Sequence, residues 1–118
     1  MAAPNIVGVT TITAKTDGLA VTATNTAIVT NSAASNQVYK INTLIAGNTS
    51  GNAQTISVDV FKNQTTAYRI AINVNVPANS TIVVLAKDSA IYLEENDSLR
   101  VQSGGTSLEA ICSYEIIE

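Results

Sequence analysis

From Tyr68 to Glu118 the apolar and polar positions alternate with little ambiguity. Tyr68, Ile70, Ile72, Val74 and Val76 fall on one side in period two, with Ala67, Arg69, Ala71, Asn73 and Asn75 on the other. That pattern predicts a half-buried strand, stopped by Pro77-Ala78-Asn79-Ser80. Thr81-Ile82-Val83-Val84-Leu85 is an apolar run too short for a helix and predicts a short buried strand; Lys87-Asp88-Ser89 turns it into Ala90-Ile91-Tyr92-Leu93. After a turn at Glu94-Glu95-Asn96-Asp97, Leu99 and Val101 alternate with Ser98, Arg100 and Gln102. Gly104-Gly105 predicts a hairpin, because glycine tolerates the positive φ of tight connections. The last strand carries Leu108, Ala110, Cys112, Tyr114 and Ile116 inward and Glu109, Ile111, Ser113, Glu115 and Ile117 outward.

The first half is patterned less firmly. Asn5 to Ala14 is β-prone without a dominant apolar side, which suits an edge strand or an arm reaching a neighbouring subunit. Lys15-Thr16-Asp17-Gly18 predicts a turn, followed by short strands at Leu19–Ala23 and Thr26–Thr30 and a polar loop over Asn31–Asn36. Tyr39, Ile41, Thr43 and Ile45 oppose Val38, Lys40, Asn42 and Leu44 in the next strand. Gly47 to Asn52 is a run of turn residues, and Ile56, Val58 and Val60 then alternate with Thr55, Ser57, Asp59 and Phe61 before a turn at Lys62-Asn63-Gln64-Thr65. Eight or nine strands at intervals of about ten residues predict an all-β fold, an antiparallel sandwich of jelly-roll type. Nothing demands a helix. The chain reads as a single domain over residues 1–118, with 1–14 as the arm or edge strand.

Composition adds a constraint on the surface. The 118 residues are 46% hydrophobic, 4% aromatic and 13% charged, roughly half the usual charged fraction. A surface of small neutral groups is a weak solubility device and is better suited to being covered by other subunits. With a net charge of −3 and six Lys and Arg spread singly, there is no basic patch, so direct nucleic-acid binding is not expected. No run is long enough to span a bilayer as a helix, and Met1-Ala2-Ala3-Pro4-Asn5 lacks the features of a signal peptide; the expected site of synthesis is a cytoplasm, without membrane contact. Asn-X-Ser/Thr triplets at Asn48, Asn63, Asn79 and Asn96 are then chance products of an Asn- and Thr-rich chain.

Candidate chemistry is sparse. The chain has no histidine and one cysteine, Cys112, on an inward strand face, where a small buried hydrophobe is the expected role. Ser-His-Asp and Cys-His catalysis and zinc sites built on His and Cys are excluded or crippled, and no cofactor motif is present. The acidic residues fall in turns or on outward faces, which disfavours a two-carboxylate glycosidase, and an enzyme is not expected. Glu94, Glu95 and Asp97 are a weak calcium candidate, set against the plainer reading of a solvated turn; their spacing fits no EF-hand. Tyr39, Tyr68, Tyr92 and Tyr114 read as core or rim residues. Phe61, Ile111 and Ile117 fall on outward faces and mark either subunit contacts or a face covered by a second sheet; with Ile6, Val7, Val9 and Ile12 of the arm they are the interface candidates.

The opening Met1-Ala2-Ala3-Pro4-Asn5-Ile6-Val7, the middle Thr66-Ala67-Tyr68-Arg69 with Val76-Pro77-Ala78, and the closing Ile91-Tyr92-Leu93-Glu94-Glu95-Asn96-Asp97-Ser98-Leu99-Arg100 with Ala110-Ile111-Cys112-Ser113-Tyr114-Glu115 resemble a family of small virion structural proteins of tailed bacteriophages, notably those of marine cyanobacteria. The resemblance runs over nearly the whole chain and its motifs are structural. Asn96 stands where that family's turn leads one to expect Gly, and Asn also accepts left-handed backbone angles. The resemblance implies a non-enzymatic particle component, assembled in the host cytoplasm and located in the virion. The favoured role is a capsid decoration or cement protein, acting as a trimer or other symmetric oligomer on the major capsid protein or another virion protein. The alternatives are a neck, tail or fibre component, with the Gly47–Asn52 and Gly104–Ser107 loops as receptor or carbohydrate contacts, or a calcium-dependent adhesive domain.

Overall fold

A computed structural model describes residues 11–105 and 108–118. Ile6, Val7 and Val9 of the expected arm, and Thr106 and Ser107 of the last loop, lie outside the described residues. Nine strands form among those described: β1 (Ile12–Val21), β2 (Thr26–Thr30), β3 (Val38–Asn48), β4 (Gln54–Lys62), β5 (Thr66–Val76), β6 (Thr81–Leu85), β7 (Ile91–Leu93), β8 (Ser98–Ser103) and β9 (Leu108–Ile117), with one 3-10 turn at Lys87–Ser89.

The strands divide between two antiparallel sheets. The first has the order β1-β9-β3-β6, with β7 also paired to β3; the second has the order β2-β8-β4-β5. Successive strands cross repeatedly from one sheet to the other, the winding of a jelly roll. β6 and β7 lie end to end along one side of β3, with Leu44 to Gly47 against β6 and Tyr39 to Ile41 against β7. The inner faces meet in one apolar cluster that includes Ile41, Leu44, Ile56, Val58, Leu93, Leu99 and Val101, all 0% exposed. Inward residues of β4, β8 and β9 supply half of its buried members, as the sequence pattern predicts.

Four expectations are overturned. The turn at Lys15–Gly18 does not form. β1 runs straight through it, with Asp17 opposite Cys112 and Gly18 opposite Ile111, because β9 supplies a partner for all ten residues and pairing outweighs local turn propensity. Gly104-Gly105 does not close a hairpin; it carries the chain from β8 in the second sheet to β9 in the first. No described glycine has a positive φ. What Gly104 provides is space, since a Cβ there would lie 2.2 Å from Thr55 Oγ1, beside the Gly104 N–H bond to the Thr55 carbonyl. β6 is not buried on both faces, because its outward residues lie on the uncovered outer face of the first sheet: Val83 is 60% exposed.

Bulges account for the remaining difference. In β3 the register shifts between Ile41 and Thr43, so that Leu44 and Ala46 are buried rather than Thr43 and Ile45. In β5 the register shifts twice: Val60 lies opposite Tyr68, Asp59 opposite Arg69, Val58 opposite Ala71 and Ile56 opposite Val74. Paired residues share a face, so Ala71 takes the inward row and Ile70 and Ile72 are displaced from it. Asn73 at φ 49° sits in the second bulge and donates its N–H to Ser57 Oγ at 2.9 Å. The single apolar face expected for β5 is therefore broken.

Candidate interaction surfaces

β5 is an outer strand of its sheet, and most of its length is exposed. Tyr68 is 61% exposed and Ile72 63%, with Ile70 and Val74 also open. Among the described residues, four of the eight exposed large apolar side chains are thus on this one edge strand, an apolar ridge along the sheet edge of the kind that marks an interaction site. The bulges and Arg69 break its backbone pattern against the addition of another strand, so the ridge offers side chains rather than a ladder. Arg69 forms no ion pair among the described residues.

A second surface lies on the outer face of the first sheet. Two rows of paired residues cross it, Gly18-Ile111-Ile45-Val83 and Ala20-Glu109-Gly47-Thr81. Ile111 is 49% exposed beside the short Gly18, Ala20 and Gly47, and the step between large and small residues leaves a groove of about 560 Å³. Glu109 lines it and, like Arg69, has no ion-pair partner among the described residues.

The other interface candidates are distributed differently. Ile12 starts β1 and is 58% exposed. Its cross-strand neighbour Ile117 is buried, as is Val38 beyond it, so of the two outward isoleucines of β9 only Ile111 is open. Phe61 is half-buried, because the Arg100 guanidinium lies over its ring at 3.8 Å from the centroid. Beneath that ring contact Arg100 holds Asp59, which also accepts from Asn25 Nδ2 at 2.8 Å. Tyr92 is 44% exposed and, with Tyr68, is not a core residue; only Tyr39 and Tyr114 stack inside, with centroids 5.6 Å apart.

The acidic turn is already occupied by hydrogen-bond donors. Asp97 is buried and accepts from Lys62 Nζ at 2.6 Å, Asn63 N at 2.8 Å and Glu94 N at 3.0 Å. Lys62 reaches Glu94 as well, while Glu95 accepts from Asn36 N at 2.6 Å. The hydrogen bond to Asp97, followed by that to Glu94, raises the Lys62 pKa against the opposing effect of burial. Among the described residues no three carboxylates converge as a metal cage would require.

Asp17, brought inward by the straight course of β1, accepts from Tyr114 Oη at 2.5 Å. Burial, then the hydrogen bond to Asp17, pushes the Tyr114 phenol well above its ordinary value; burial also raises Tyr39, with Glu118 and Asp17 adding to it. The Cys112 thiol is pushed up to about 12 by burial and the Asp17 charge, which keeps it protonated and unreactive at neutral pH.

A scan against family models and searches of curated proteins and of solved structures found no match. The surfaces therefore stand on their own chemistry.

Sequence reasoning missed the β5 ridge because it read a regular strand. The available signal was Asn73 inside an apolar run, where an asparagine accepts the left-handed angle that a bulge requires. The groove was missed because Asp17-Gly18 reads as a turn and Gly47 as the start of a loop.

Proposed function

We propose that the chain is a non-enzymatic structural subunit of a tailed-phage particle, and within that class a decoration protein that binds the capsid exterior and cements neighbouring capsomers. The observation that carries this reading is the exposed apolar ridge of β5 on a jelly roll with little surface charge. A protein that worked alone would be poorly served by such a strand, whereas a subunit buries it against its neighbours. At ~25 cal/mol per Å² of apolar area, a modest contact repeated over a shell accumulates into a substantial restraint, less the cost of ordering and association. The phage setting rests on the resemblance of the N-terminal, central and C-terminal segments to small virion proteins.

The test is mass spectrometry with immunogold labelling on purified particles and on tailless heads. Abundance on tailless heads is the expected result. Presence only in tailed particles would move the protein to the neck, tail or fibre, and absence from both would remove it from the virion.

A further inference from the structure

Gly18 and Gly47 have no structural reason to be glycine within the chain. Neither has a positive φ. A Cβ at Gly18 would meet only the Ala110 carbonyl at 3.8 Å, and one at Gly47 only Thr81 Oγ1 at 3.6 Å and the Glu109 carbonyl at 3.9 Å, all ordinary contacts. Glycine inside a strand weakens it and often marks close approach of another group. Here the two glycines, with Ala20, keep the groove open.

We propose that this groove receives the β5 ridge of a second copy of the chain, so that copies join head to tail. Ile70, Ile72 and Tyr68 are the exposed side chains of suitable chemistry, and the groove of about 560 Å³ is apolar where Gly18, Ile45 and Ile111 line it. Charge selects the same partner. Arg69, between Tyr68 and Ile70, is the only charged side chain on β5, and among the described residues Glu109 is the only charged side chain lining the groove and neither has an ion-pair partner in its own chain. Docking gives each the opposite charge, which fixes register more than it adds affinity. The ridge lies at an edge of one sheet and the groove on the outer face of the other, so the contact joins unlike surfaces. Such a contact forms a closed ring when the rotation closes and a filament when it does not.

This inference rests on the reading of the chain as an assembly subunit, but its test uses the isolated full-length protein and needs no particle, so the two fail separately. Wild type, the groove-filling variant Gly18→Val with Gly47→Ala, and the ridge variant Ile70→Ser with Ile72→Ser are compared by native mass spectrometry and light scattering, with circular dichroism melts for folding. Wild type is expected to associate. The groove variant is expected to be monomeric while melting at or above the wild-type temperature, since strand glycines have been replaced. The ridge variant alone is also expected to be monomeric, and a mixture of the two variants, one with an intact ridge and the other with an intact groove, is expected to form a one-to-one dimer. Arg69→Glu is expected to lose assembly and to regain it with Glu109→Arg added. A monomeric wild type, a groove variant that still assembles, or a mixture that stays monomeric overturns the proposal; a groove variant that still assembles would indicate contact between like ridges.

Discussion

Arg100 grips Asp59 with two parallel hydrogen bonds, Nε to Oδ1 at 2.8 Å and Nη2 to Oδ2 at 3.1 Å, across adjacent strands β8 and β4. The carboxylate is 1% exposed and the guanidinium 21%, so this is a largely desolvated pair in which removal of one member strands the other. Arg100→Leu is expected to cost about 3 kcal/mol in urea unfolding. Arg100→Lys is expected to recover only part, because an ammonium supplies neither the bidentate fork nor the flat face over Phe61.

The turn at Glu94 to Asp97 gives a contrast, since its buried carboxylate already holds a cation from within the chain. Adding a chelator is expected to leave the melting temperature unchanged, with Lys62 Nζ at 2.6 Å from Asp97 in the position a metal would need. A fall in melting temperature on chelation would restore the calcium reading.

Gly104→Ala is expected to destabilise the fold by roughly 1–3 kcal/mol through overpacking. The added methyl would lie 2.2 Å from Thr55 Oγ1, on a side chain with restricted χ1. Thr55→Ala in the same chain is expected to recover most of the loss in thermal melts; no recovery would place the defect in the backbone instead.

Alkaline pH is expected to destabilise the protein. Burial keeps Cys112 protonated to about 12 from an ordinary 9.0, and raises Tyr114 and Tyr39 from 10.0. The unfolded chain releases these protons first, so above the ordinary thiol value it binds fewer protons than the folded chain and stability falls as pH rises. That stability is fully present below 9.0, and the Cys112 share is lost progressively up to about 12. Melts across that window are expected to fall more steeply for wild type than for Cys112→Ala, whereas parallel curves would remove Cys112 from the account.

The sandwich and its core strands were legible because β4, β8 and β9 alternate cleanly and their inward residues need no tertiary information to be recognised. The turns after β4, β5 and β7 were legible too, and Asn96 takes φ 70°, as an asparagine in place of glycine allows. The same conformation explains two other asparagines dismissed as chance sequons, since Asn63 and Asn79 have φ of 53° and 54°. Asn48 ties the Gly47–Asn52 loop inward through the carbonyls of Asn52 and Val76. What local pattern does not encode is a bulge or the sheet to which a strand belongs. Asp17-Gly18 became strand because β9 lay beside it, and the apolar row of β5 became a surface ridge because two bulges and an edge position displaced it.

β9 stands between β1 and β3, and the backbones of Thr11 and Glu118 exchange two hydrogen bonds of 3.0 Å at the end of its ladder with β1. Until residues 108 to 117 have left the ribosome, the first sheet is two fragments with no strand to join them, and the apolar faces of β4 and β8 have nothing complete to close upon. Such long-range closure is slow. The fold is therefore committed only once β9 has been synthesised, and the interval before that commitment is when the sparse charge leaves the chain most exposed to aggregation.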